Sequence, residues 1–93
     1  MHVEEWEWDD DNRAHLARHG VTRRIVEQVF ETQPRFRANK PNRTGTHQMI
    51  GPAYSGTLYT ICIVELYMRE GLWRAITGWP ASDKEKKWYE ERQ

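Results

Sequence analysis

The sequence predicts an α+β domain in which two N-terminal helices and one C-terminal helix pack on a twisted, mostly antiparallel sheet. Three observations carry this. A helical apolar stripe, Ile25, Val26, Val29 and Phe30, lies in the first third of the chain. A run of apolar, β-branched and aromatic residues broken by turn signals follows it as far as Trp79. A capping pattern, Ser82 to Glu85, then opens a last helix. With 93 residues there is chain for one core and no second, so residues 1–93 are expected to form a single domain.

Taken in order, "VEEWEW" alternates polar and apolar residues, with Val3, Trp6 and Trp8 apolar, and reads as a short edge strand. Asp10, Asp11 or Asn12 can cap a first helix, and Gly20 stands where a C′ glycine ends one. Thr22 caps the second helix, "RRIVEQVFET", and Pro34 stops it. "RFRAN" is a short strand with alternating arginines, and "KPNRTG" is a polar turn. "HQMIG" and "TLYTICIVEL" are strands joined through "PAYSG", a hairpin signal. In the second of these Tyr59, Ile61 and Ile63 point one way and Leu58, Cys62, Val64 and Leu66 the other. It is expected to be central and buried on both faces. In the last strand, "LWRAITGW", alternation puts Trp73, Ala75, Thr77 and Trp79 on one face and Arg74 and Ile76 on the other. The C-terminal helix is expected to end near Arg92 with Trp88 as its apolar anchor, and all helices to gather on one side of the sheet.

Charge is balanced in total, with 14 basic and 14 acidic side chains, but it is unevenly spread. Residues 1–11 carry six acids and no Lys or Arg, whereas residues 12–48 carry eight Lys/Arg against Glu27 and Glu31. A basic middle can attract a polyanion, and an acidic start can oppose it. The single cysteine, Cys62, excludes an intramolecular disulfide and reads as a small core hydrophobe. The N-terminus has neither a basic n-region nor an apolar h-region, and no run approaches membrane-spanning length. The expectation is a cytoplasmic, soluble protein with no membrane partner.

The segments "WEWDDDNRAHLARHGVT", "HQMIG", "WRAITG" and "SDKEKKWYEE" resemble the BrnT-type toxins. These are small bacterial members of toxin–antitoxin pairs with a RelE/ParE-like fold and ribonuclease activity. The resemblance covers nearly the whole chain. Its most specific piece is the W-D-x-x-N-x-x-H-x-x-R-H-G-V-T run from Trp8 to Thr22, and Ser82, Glu85 and Tyr89 match a C-terminal S/T-x-x-E-x-x-x-Y pattern. It implies a metal-independent endoribonuclease that needs no cofactor, acts on RNA and is neutralised by an antitoxin protein. Arg74 matches the arginine inside the family's last strand. Two other positions depart: Pro52 follows Gly51, and Trp79 closes the last strand, where the family often has arginines.

Metal-free RNA cleavage needs a proton acceptor for the 2′-hydroxyl, a proton donor for the leaving oxygen and cations for the phosphorane. His47 has the side-chain chemistry for acid–base work, Glu65 is a second possible base, and Arg74 could clamp the phosphate. Arg35, Arg37, Lys40 and Arg43 form a basic run for RNA binding, and Tyr59 or Tyr89 could stack on a base or donate a proton. The structural alternative for Arg74 is a strand pairing with Glu65 or Glu70. His15 and His19 share a helix face, but no third ligand accompanies them, so helix capping explains the pair better than a metal site. The alternative to an enzyme is a scaffold of the same fold that binds protein or nucleic acid without chemistry. In either case an exposed sheet edge and several tryptophans would suit a homodimer or heteromer.

Overall fold

The computed structural model describes residues 1–91. The chain runs β1 (Glu5–Glu7), α1 (Asp10–Ala17), α2 (Arg23–Glu31), β2 (Arg35–Ala38), β3 (His47–Pro52), β4 (Leu58–Glu65), β5 (Leu72–Pro80) and α3 (Asp83–Glu90). The five strands form one sheet in the order β1-β5-β4-β3-β2. Strands β2 to β5 pair antiparallel as expected, and β1 joins the edge parallel to β5. The position named as the end of α3, Arg92, lies outside the described residues.

Local chemistry sets the helix ends. Thr22 caps α2 by accepting from the Ile25 N–H, and Ser82 and Glu85 form the capping box of α3. For α1 the cap is Asp9, one residue before the three candidates, in a reciprocal box with Asn12. Asn12 is buried, and its amide nitrogen donates to the carbonyls of Glu7 (3.1 Å) and Ala75 (3.0 Å). Since β1 ends at Glu7, opposite Arg74, the Ala75 carbonyl is the next one along β5, and the Asn12 side chain meets it. Gly20, at φ +76°, then reverses the chain towards α2.

Strand register sorts the side chains into two sets. On one side His47, Met49 and Gly51 of β3 stand opposite Ile63, Ile61 and Tyr59 of β4, which in turn face Ala75, Gly78 and Pro80 of β5. Helices α1 and α2 cover this side, with Leu16 against Gly78 and Val29 against Gly51. Leu16, Val21, Val26 and Val29 complete the core there with Met49, Ile61, Ile63, Trp73 and Ala75. The other side carries the row Arg37, Gln48, Cys62, Thr77, one residue from each of β2 to β5. Helix α3 meets this side through Glu85, which accepts from the Trp79 indole, and Trp88, which lies under the Arg37 guanidinium. The helices therefore divide between the two faces instead of gathering on one.

A bulge explains a second difference. Ile63 pairs with Ala75, but Cys62 pairs with Thr77, so Ile76 has no partner on β4. Trp73 and Ala75 face α1 and α2, whereas Thr77 and Trp79 face α3. Strict alternation had placed all four together.

The Asn12 junction generates a prediction. Asn12→Ala leaves the Asp9 N–H and the Glu7 and Ala75 carbonyls without this partner, at a cost of about 2–3 kcal/mol. Thermal denaturation should show a midpoint lower by about 10 °C or more. An unchanged midpoint would show that water replaces the carboxamide without loss.

Candidate functional site

The face that meets α3 holds a cleft of about 610 Å³. Its floor is the cross-strand row Arg37, Gln48, Cys62 and Thr77. One wall is Trp79 with Lys84 and Glu85 from the first turn of α3, and the other is the segment 38–44 after β2 with Lys40 and Arg43. The carboxamide of Gln48 ties floor to wall. Its Oε1 accepts from Arg37 Nε at 2.7 Å, and its Nε2 donates to Asn39 Oδ1 at 3.3 Å. The Asn39 amide nitrogen donates to the Thr44 carbonyl at 2.7 Å and so closes the loop upon itself. At Gly45, φ +77°, a Cβ would stand 2.8 Å from the Ile63 carbonyl oxygen, so only glycine lets the loop return this close to β4. The Arg37 guanidinium lies over the Trp88 ring, 4.7 Å from its centre, which holds it beside α3.

The electrostatics of the cleft are one-sided. Arg37, Lys40, Arg43 and Lys84 line it, and none of them has an ion-pair partner among the described residues. Glu85 is the one carboxylate lining it among the described residues. Burial raises its pKa, but hydrogen bonds from the Ser82 backbone N–H and the Trp79 indole outweigh this and hold it below its ordinary value. Burial pushes the Cys62 thiol up, so the floor carries a neutral sulfur and no thiolate.

The basic run from β2 onward is thus only partly gathered here. Arg37, Lys40 and Arg43 line the cleft, while Arg35, on the same sheet face opposite Ile50, is not among its lining residues. Arg35 Nε is buried without a hydrogen-bond partner among the described residues. Tyr59 belongs to the opposite, core-facing set. Tyr89 is buried, and its hydroxyl donates to the Gln33 carbonyl at 3.0 Å, so it secures α3 instead of facing a ligand.

The three residues expected to carry catalysis are not brought together. His47 and Glu65 line a separate recess of about 530 Å³ with His2, Glu70 and Trp73. His47 packs edge-on to Trp73, 5.5 Å between ring centres, on the side of the sheet covered by α1 and α2. The Glu65 carboxylate accepts from the Gly71 N–H at 2.9 Å and holds the β4–β5 turn. Arg74 pairs with neither Glu65 nor Glu70. It donates to Glu7 at 2.7 Å and takes Asp9 in a two-pronged grip, 2.9 Å for each bond. That grip occupies both terminal nitrogens of the guanidinium expected to clamp a phosphate.

His15 and His19 are solvent-exposed, and no group of three or more His, Cys, Asp or Glu able to hold a metal occurs among the described residues. No helix of the described residues is long and apolar enough to cross a membrane. Sequence reasoning missed Lys84, Gln48, Thr77 and Trp79 as members of the cleft. A signal for Lys84 was present in the capping box, which fixes it in the first turn of α3. The bulge that brings Thr77 and Trp79 has no counterpart in the hydrophobic pattern. The chain matches no known family model and no curated protein.

The Arg74 clamp makes stability depend on pH. The Arg74 guanidinium, with help from the Asn12 N–H, lowers Asp9 to about 2 from an ordinary 3.8. A depressed folded-state pKa gives a contribution that is complete above pH 3.8 and is lost as pH falls towards 2. Asp9→Asn should therefore melt slightly below the wild type at pH 7, and the gap should shrink as both are acidified through that window. A gap independent of pH would show that the charge of Asp9 does not contribute.

Proposed function

We propose that the chain is an RNA-binding domain with the RelE/ParE-like fold of the BrnT-type toxins it resembles, and that the cleft receives the phosphate backbone. One observation carries this reading: four cations, Arg37, Lys40, Arg43 and Lys84, converge on a single concavity without carboxylate partners among the described residues. Unpaired Arg and Lys on a concave surface are available to phosphates at little desolvation cost, and Arg37 is already oriented by Gln48 and Trp88. An antitoxin that covers the cleft with acidic side chains would compete with RNA for the same cations.

Metal-independent cleavage of the bound strand is the second reading, favoured by the presence of Glu85 in the same cleft. Held ionised, Glu85 could accept the 2′-hydroxyl proton as that oxygen attacks phosphorus, and return it to the 5′-oxygen as the P–O5′ bond breaks, while Arg37 and Arg43 neutralise the phosphorane. In this version the catalytic duties pass from His47, Glu65 and Arg74 to groups on the opposite face.

Binding of a short labelled single-stranded RNA, followed by fluorescence anisotropy between about 50 and 200 mM salt, tests the reading. Four phosphate contacts predict a slope of log K against log salt of about −2 to −3, and Lys40→Ala with Arg43→Ala should flatten it by about 1.4. Absent or salt-independent binding would refute it. In the same mixtures with chelator, cleavage that Glu85→Gln abolishes without loss of binding would establish the second reading. Gln retains the capping geometry of α3, so the variant isolates the carboxylate. Uncut RNA would leave a binding domain.

A further inference from the structure

Strict alternation along β5 would put Thr77 and Trp79 beside Trp73 and Ala75, beneath α1 and α2. The unpaired Ile76 turns both towards the cleft instead. Bulges recur next to binding sites because they re-aim side chains, and this one delivers an aromatic ring and a hydroxyl. Trp79 is half-buried, and its indole N–H donates to the Glu85 carboxylate at 3.0 and 3.3 Å. With its polar edge engaged by α3, the ring offers a ligand apolar surface. Thr77 ends the floor row next to Cys62, whose thiol is neutral. Beyond Cys62, the Gln48 carboxamide accepts from Arg37 and donates to Asn39, and it also hydrogen-bonds the Cys62 thiol, which leaves its oxygen a second lone pair.

An aromatic wall, an uncharged hydrogen-bonding stretch of floor from Thr77 to Gln48, and cations at the Arg37 end and along the rim match the three parts of a nucleotide: base face, base edge and phosphate. We infer that the cleft seats one unstacked RNA base, its face against Trp79 and its edge towards Thr77 and Gln48, while Lys40, Arg43 and Lys84 hold the neighbouring phosphates. The inference rests on the RNA-binding reading and adds to it that affinity depends on bases as well as on charge. A volume of about 610 Å³ is that of a ligand-sized pocket. A base can enter it only when it is neither paired nor stacked, so the RNA is single-stranded at that point.

Two oligomers of equal length and charge separate base seating from phosphate binding: a single-stranded RNA and its fully abasic ribose-phosphate counterpart. The wild type should bind the intact strand about tenfold or more tightly than the abasic one. Trp79→Leu should remove most of that preference, and Lys40→Ala with Arg43→Ala should weaken both ligands by the same factor. Thr77→Val, nearly isosteric, should alter the ranking of adenine, cytosine and uracil homopolymers and leave abasic binding unchanged. Should Trp79→Leu fail to fold, the wild-type comparison and Thr77→Val decide. Equal affinity for intact and abasic strands, with the salt slope intact, overturns the base seat but leaves the phosphate reading standing. Absence of binding to either oligomer overturns both.

Discussion

The carboxamide of Asn12 joins α1 and β5 to β1, the strand that the backbone ladder alone holds weakly. Strand β1 has three residues and pairs with a single neighbour, in the parallel mode. So short an edge strand is marginal by itself. Asn12 accepts the Asp9 N–H, donates to Glu7 at the end of β1 and donates to Ala75 just beyond the last β1–β5 pair. One buried side chain thus starts α1, ends β1 and fixes both against β5. Leu16, one helical turn later, then lies over Gly78 and enters the core.

The same junction decides where positive charge remains. Asp9, whose side chain accepts the Asn12 N–H, also receives the fork of Arg74, and Glu7 receives a further bond from it. Glu5 pairs with Arg69 and Asp10 with Arg13. Exposed pairs of this kind contribute little to stability. Their consequence is spatial: Glu5, Glu7, Asp9 and Asp10, four of the six acids in the first eleven residues, meet arginines near the β1 edge, far along the sheet order from β2. The cations of the segment after β2 and of α3 meet no such partners among the described residues. A chain with no net charge acquires a polarised surface, with an acidic segment that neutralises one edge and a cationic cleft towards the other.

The bulge at Ile76 divides β5 between two tasks. Its first half, with Trp73 and Ala75, belongs to the core beneath α1 and α2, and its second half presents Thr77 and Trp79 to the cleft. Gly78 falls on the core side of that second half, where Leu16 approaches. Helix α3 follows directly after β5 and lies on the face to which β5 has just turned. Its capping box keeps Glu85 where the carboxylate can hold both the Ser82 N–H and the Trp79 indole. The wall of the cleft and the start of the helix are consequently one hydrogen-bonded unit.

The α+β class, the succession of elements, the Thr22 cap, the Ser82–Glu85 box and the central position of β4 were legible in the chain alone. Each depends on neighbours within a few residues or on a period of 2 or 3.6. Arg37, Lys40 and Arg43 were legible as a basic run for the same reason. What the tertiary structure decided involves partners far apart in sequence. Asn12 bonds to Ala75, sixty-three positions away, and Arg74 bonds to Asp9 across sixty-five. No local pattern records these bonds, so Arg74 and His47 read as free functional groups when one is clamped and the other packs on Trp73. Nor does hydrophobic alternation register a single extra residue such as Ile76, because it reverses the two faces of a strand without changing its composition. Local sequence chemistry fixed the pieces, and long-range register and charge pairing chose which side chains face the cleft.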